Sequence, residues 1–380
     1  MRKIYLDYAA ATPLDPQVLA AMRPFFANEF YNPSAIYLAG RRVRGHLEAA
    51  RRLAAGTIGA KPGEIIFTAG ATEANNLAIQ GTMKHFPGAE VLVSAIEHES
   101  VLEPAGLFKA RRIPVDRQGT VDLAKLEEMI SDQTALVSVM LVNNELGTIQ
   151  PLADIAKILN KLSILRKSKN SQLPLYLHSD AAQAANYLDL HVSRLGVDMM
   201  SLNGGKIYGP KQSGGLYVKA GVRLKPLIVG GGQEMGLRSG TENVAAAAGF
   251  SHALAAAQLR RHAESQRIRG LRQRFEDGLS RLIPQAIVNG SKKKAPHLLN
   301  VTFPGYDNER LMMQLDEAGV MCAVGSACSA ARQEASHVLS AIGLSPAAAR
   351  ATLRFSLGRQ TTESDIETTL SRLAKLVYAK

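Results

Sequence analysis

A lysine in the glycine-rich run Ser201-Leu202-Asn203-Gly204-Gly205-Lys206-Ile207-Tyr208-Gly209-Pro210-Lys211, and a carboxylate upstream in His178-Ser179-Asp180-Ala181-Ala182-Gln183, are the residues of this chain best suited to chemistry. A primary amine condenses with an aldehyde, and a carboxylate on a pyridine nitrogen keeps that ring an electron sink. These are the two demands of pyridoxal phosphate. Lys206 and Asp180 are the candidates for those roles. Apolar runs precede both, Pro174-Leu175-Tyr176-Leu177 before Asp180 and Val197-Asp198-Met199-Met200-Ser201 before Lys206. Both groups are therefore expected at strand ends, on one rim of a sheet.

Other motifs add to this pair. Thr68-Ala69-Gly70-Ala71-Thr72-Glu73-Ala74-Asn75-Asn76 follows a strand-like run and opens a helical one, so its backbone amides could cradle an anion at a helix N-terminus. Taken alone, such a turn also opens many helices for structural reasons. His98, in Ile96-Glu97-His98-Glu99-Ser100, follows another strand-like run, where an imidazole can stack on a ring or relay protons, though a lone histidine is more often structural. Asn144 and Thr241 lie in polar loops, Asn143-Asn144-Glu145-Leu146-Gly147 and Arg238-Ser239-Gly240-Thr241. Arg354 is a single arginine amid Thr352-Leu353-Arg354-Phe355-Ser356. Its planar fork suits a carboxylate, with a structural ion pair as the alternative.

To position these groups, strand-like runs alternate with helical periods, the pattern of a mostly parallel sheet with helices on both faces. Strands are expected at 64–67, 90–93, 135–140 and 215–218, and helices at 71–82 and 155–165. The polar stretch Arg166-Lys167-Ser168-Lys169-Asn170-Ser171-Gln172 reads as a surface loop. Beyond Ala257 the texture changes to a basic helix over Gln258 to Leu282 and short strands near Ile287-Val288 and Leu298-Thr302, which reads as a second, smaller α+β domain. That region carries Cys328 in Gly325-Ser326-Ala327-Cys328-Ser329-Ala330.

The 380 residues are long enough for a large and a small domain, and 46% hydrophobic content excludes a disordered or fibrous chain. No run suggests a signal peptide or a membrane helix, so a cytoplasmic location is expected. Two cysteines are too few for a disulfide scaffold, and Cys322, in the apolar run Val320-Met321-Cys322-Ala323-Val324, is assigned to the core. The net charge of +12 favours acidic partners, but the basic residues are scattered and no aromatic ladder accompanies them, so direct nucleic-acid binding is not expected.

The combined motifs, from Tyr5-Leu6-Asp7-Tyr8-Ala9-Ala10-Ala11-Thr12-Pro13 to Leu353-Arg354-Phe355-Ser356-Leu357-Gly358-Arg359, resemble the fold-type I pyridoxal-phosphate enzymes called class V aminotransferases. Among these they are most similar to the IscS/NifS-type cysteine desulfurases. The resemblance implies an α/β fold of the PLP-dependent transferase type, with a large cofactor-binding domain over residues 15–257 and a small domain over residues 1–14 and 258–380. It implies that Lys206 forms the Schiff base with pyridoxal 5'-phosphate, Asp180 pairs with the ring nitrogen, Gln183 bonds the ring oxygen and His98 stacks on the ring. Ala71 and Thr72 would hold the phosphate, and Thr241 would reach the phosphate of the other subunit in a homodimer. Asn144 and Arg354 would take the substrate carboxylate. Cys328 would be the nucleophile that accepts sulfur from L-cysteine as a persulfide, leaving L-alanine. An iron–sulfur scaffold or a sulfur-carrier protein would then receive the sulfur, for cluster assembly or tRNA thiolation.

The chain departs from the family beside the lysine. Relatives usually carry histidine immediately before it and serine two residues further back, where this chain has Gly205 and Asn203. The cofactor would lose an imidazole and a hydroxyl donor, while the amide of Asn203 and backbone N–H groups near the glycines offer replacements. A selenocysteine lyase or other β-lyase, and a desulfurase-like scaffold with weakened catalysis, are the alternative readings.

Overall fold

In the computed structural model, which describes residues 3–325 and 336–378, the candidate residues gather along one edge of a seven-stranded sheet. Its strands are β2 (Ile65–Thr68), β3 (Glu90–Ser94), β4 (Lys109–Ile113), β5 (Thr134–Ser138), β6 (Tyr176–Asp180), β7 (Met199–Asn203) and β8 (Gly214–Val218), in the order β2-β8-β7-β6-β5-β3-β4. The run from β7 through β6, β5 and β3 to β4 is parallel, and β8 lies antiparallel to both its neighbours. The β5, β7 and β8 strands are almost wholly buried, as expected of a sheet covered by helices on its faces. Val91 and Val93 with Leu136 and Met199 belong to one buried cluster, and Leu92, Val137, Leu177 and Met200 to another. The two-residue alternation of strand side chains thus supplies two packed layers.

A second set of strands assembles from both ends of the chain. β1 (Ile4–Tyr5) pairs in parallel with β11 (Val320–Met321), while β9 (Ile287–Val288), β10 (Leu298–Thr302) and β12 (Thr352–Ser356) form an antiparallel sheet centred on β10. Leu6, Phe275, Leu299, Phe303 and Phe355 are buried in its cluster. Each such aromatic or leucine contributes roughly 1.5–3 kcal/mol relative to exposure.

The helix expected over Gln258 to Leu282 is longer, running without interruption from Val244 to Leu282. Asn243 caps its start by accepting from the Ala246 N–H, and the alanine-rich first turns favour helix. At 1.5 Å per residue it spans roughly 58 Å. Phe250 and Leu254 pack with the large sheet, and Ile268, Leu271, Phe275 and Leu279 with the smaller one. The position between residues 257 and 258 therefore falls inside a helix, because one amphipathic rod serves both cores.

The surface loop expected at 166–172 holds for 169–172, which lie outside helix and at the surface, but is corrected at its start. The helix Leu152–Ser168 includes its first three residues, and Arg166 is buried, donating to the carbonyls of Thr134, at 2.7 Å, and Ser131. Polar composition misleads there because a guanidinium satisfies carbonyls at the start of β5. Among the described residues, no helix is long and apolar enough to cross a membrane.

Candidate active site

The carboxyl ends of β2, β3, β5, β6 and β7 open onto a cleft of about 270 Å³, the usual place for a ligand in an open α/β sheet. Its lining includes Ala71, Thr72, His98, Asn144, Asp180, Gln183, Asn203, Lys206 and Arg354. Nine of the expected residues are thus brought together. Gly205 and Thr241 do not line it, Thr241 being exposed in the single chain, and Cys328 lies outside the described residues.

Asp180 is the last residue of β6 and is buried. One carboxylate oxygen accepts from the Ala182 N–H at 2.9 Å and the other from Asn75 Nδ2 at 2.7 Å. Asn75 also donates to Ser100 Oγ at 2.8 Å, and Ser100 Oγ lies 2.9 Å from His98 Nδ1. His98 is the N-cap of the helix Glu99–Gly106, its Nδ1 accepting from the Ser100 N–H at 3.0 Å. A backbone N–H can only donate, so the neutral ring carries its proton on Nε2. Asn75 and Ser100 were not singled out from the sequence. Three positions past Thr72 on the same helix, Asn75 had the spacing to face the same side.

Lys206 closes the short 3-10 turn Gly204–Lys206 directly after β7. Its Nζ reaches Ala10 O at 2.6 Å, and Asn186 Nδ2 holds its carbonyl at 2.8 Å. Asn203 Oδ1 caps the turn by accepting from the Gly205 N–H at 2.8 Å. Thr12 clasps it from outside, its N–H and Oγ1 both 3.1 Å from Gly205 O. A Cβ at Gly204 would stand 2.1 Å from Ser213 Oγ, so this close approach requires glycine. At Gly205 a Cβ would meet Lys211 Cδ at 3.2 Å and Asn203 Oδ1 at 3.3 Å. A side chain there presses on the capping asparagine.

Across the cleft, Arg354 in β12 is 2% exposed. Its Nη2 pairs with Asp7 Oδ1 at 2.7 Å and its Nη1 donates to Asn144 O at 3.1 Å, while Nε has no partner among the described residues. The ion pair is formed, with Asp7, and the same side chain lines the cleft. Gln183 donates from Nε2 to Ala9 O at 2.9 Å. Behind these groups Glu97 and Glu145 are buried carboxyls raised above their ordinary range, by burial first in each case. Glu97 Oε1 accepts from the Met140 N–H at 2.7 Å, and Glu145 Oε2 from Ser336 Oγ at 2.6 Å.

The donor set fits an aldehyde cofactor with a phosphate and a protonated ring nitrogen. Among the described residues no lysine or arginine pairs with Asp180, whose two bound donors are neutral amides, so a cationic N–H can be matched there. The helix Ala71–His85 starts at Gly70, with φ 132° and no side-chain cap. A Cβ at Gly70 would lie 3.8 Å from Asn203 Nδ2, which places that amide beside the uncapped turn. Lys206 supplies the amine from the next strand end.

A family model for aminotransferase class-V matches residues 4–369, and the chain belongs to that family. Among its relatives, "Cysteine desulfurase IscS" of Dictyoglomus turgidum is 40% identical over 384 residues, covering 99% of this chain and 95% of that protein. A solved NifS-like protein superimposes with a TM-score of 0.90 at 31% identity, covering 100% of both chains. SspA in complex with cysteine superimposes with a TM-score of 0.79 at 36% identity, over 93% of this chain and 98% of that one.

Proposed function

We propose that this protein is a cysteine desulfurase, converting L-cysteine to L-alanine and leaving the sulfur as a persulfide on Cys328. The observation that carries the reading is one cleft holding Lys206, Asp180 with Asn75, and Arg354 together. Pyridoxal 5'-phosphate, when bound, supplies an electron sink for the substrate's α carbon. Lys206 would hold it by its amine, Asp180 its ring nitrogen, and Thr72 with the first amides of Ala71–His85 its phosphate. His98 would lie against the ring, and Gln183 would donate to the ring oxygen.

Arg354 and Asn144 bind and orient the substrate carboxylate, which places the α hydrogen where the Lys206 amine can take it. Thiolate Cys328 attacks the substrate sulfur, so the carbon–sulfur bond breaks as a sulfur–sulfur bond forms. The carbon left behind gains a proton, giving alanine. Thiol plus cysteine thus yields persulfide plus alanine, with atoms and electrons in balance.

The chain works as a cytoplasmic homodimer with a large domain over 15–257 and a small one over 1–14 and 258–380. Large apolar side chains support a second copy, with Ile36 89% and Val229 77% exposed in the single chain. Ser34 and Met235, from those two segments, line one shared depression. Thr241 in this region would complete the partner's phosphate site. The sulfur then passes to an iron–sulfur scaffold or a sulfur carrier. Absorption spectra of the purified protein with and without L-cysteine, with alanine assayed alongside, test the reading. A bound-cofactor band that L-cysteine perturbs, together with alanine formation, is expected; a protein with neither would contradict it.

A further inference from the structure

His297 stands behind the cleft, immediately before β10, and is 3% exposed. Its ring stacks on Tyr187, with centroids 4.4 Å apart and planes 20° from parallel, and the Leu357 N–H holds its backbone carbonyl at 2.8 Å. Nε2 lies 3.2 Å from Gln183 Oε1, and Nδ1 has no partner among the described residues. Only one proton placement suits these surroundings. With the proton on Nε2 the imidazole donates to the amide oxygen, whereas with it on Nδ1 two lone pairs would face each other and a buried N–H would be left unbonded. Burial first, then Arg354 and Arg272, pull this histidine down to about 3, so it stays neutral at ordinary pH.

The consequence falls on Gln183. Its oxygen is turned toward His297 and its Nε2 toward Ala9 O. An amide nitrogen carries two hydrogens, so one remains for the cleft that Gln183 lines. We propose that His297 is a positioning residue: by donating from Nε2 to Gln183 Oε1 it fixes the amide so that an N–H, and not the carbonyl oxygen, is offered to the ring oxygen of pyridoxal phosphate. The inference rests on the reading of the cleft given above. Without that donor the amide loses the one partner its oxygen has among the described residues, and the carbonyl can turn toward the cofactor's oxygen, acceptor against acceptor.

The test is a double-mutant cycle read by cofactor binding. Apo forms of the native protein, His297→Phe, Gln183→Ala and the double variant are titrated with pyridoxal phosphate, and the pH midpoint of the bound cofactor's absorbance change is recorded. Phenylalanine keeps a ring to stack on Tyr187 and removes only the donor. Loss of one neutral hydrogen bond is expected to weaken binding about fivefold. The midpoint should rise, because an N–H on the ring oxygen favours its deprotonated form. In the Gln183→Ala background, His297→Phe should change neither quantity. His297→Asn, which restores an amide donor, should recover part of the affinity and guards against misfolding of the phenylalanine variant. Equal losses in both backgrounds, or native affinity and midpoint in His297→Phe, would overturn the inference while leaving the cofactor site intact. A native protein that takes up no pyridoxal phosphate would overturn both.

Discussion

On the sheet wall of the cleft, Asp180 and Asn203 are the last residues of their strands and each accepts from an N–H two residues on, while Lys206 ends the next turn, with distant Ala10 and Asn75 adding contacts to Lys206 and Asp180. Arg354 on the facing wall is fixed by Asp7 and by the carbonyl of Asn144, which lie 347 and 210 residues away from it in the chain. Strand ends and a short turn place the first wall's groups before distant contacts refine them, whereas the second wall's arginine has only distant hydrogen-bond partners among the described residues. The proposed function puts the proton transfer on the first and recognition of the substrate carboxylate on the second.

The largest break is Lys206→Ala. Turnover of L-cysteine should fall by about 10²–10⁴-fold or more, with no cofactor trapped on the chain by borohydride, while the variant still melts cooperatively. Trapping at native occupancy would assign the amine to another residue. On the facing wall, Arg354→Lys replaces a planar fork by a point charge. With about 1.5–3 kcal/mol at stake per charged hydrogen bond, KM for L-cysteine should rise roughly 10–100-fold, with kcat changed far less. An unchanged KM beside a collapsed kcat would place Arg354 in the chemistry and erase the difference between the walls.

Stability sharpens the comparison at lower pH. His178 in β6 is fully buried between Ser138 Oγ and Ser201 Oγ, at 2.8 and 2.9 Å, and burial lowers it to about 4. Its folded value lies below the unfolded one near 6.5, so the unfolded chain takes up the proton first. Stability is therefore complete above about pH 6.5 and lost as pH falls toward 4, at up to about 1.4 kcal/mol per pH unit for this group. Urea unfolding across that window should show a shallower slope in His178→Gln, and an unchanged slope would mean that His178 is already charged in the fold.

The sheet wall was legible because strand ends can be read from apolar runs, and a lysine or carboxylate directly after one has few other places to go. Asp180, Lys206, His98 and Thr72 all lie in the cleft for that reason. Asn75 escaped because nothing in an amide inside a helix says that its nitrogen will meet Asp180 and Ser100. Asp7 escaped as Arg354's partner because the pairing is made by β1, β11 and β12 only after folding. At Gly205, where relatives' imidazole is missing, a Cβ would meet Lys211 and the cap of Asn203, a packing constraint that the sequence alone does not display. The helix Val244–Leu282 hid its continuity because its buried face changes partners midway.

The smallest effect concerns Cys322. It is half-buried against the smaller core, and burial first, with Asp7 adding, pushes its thiol up to about 12. A protonated thiol is a poor nucleophile. Cys322→Ser should leave alanine production within about twofold of native, a change near the usual scatter of surface substitutions; a loss as deep as that of Cys328→Ser would make it a reagent.

A single turnover with L-cysteine and no acceptor tests the central claim most directly. Alanine is quantified per subunit, and the peptide containing Cys328 is weighed by mass spectrometry. The account predicts alanine equal to the number of active subunits, with one added sulfur atom on Cys328 and none on Cys322. Free sulfide appearing with alanine while Cys328 stays unmodified would contradict it.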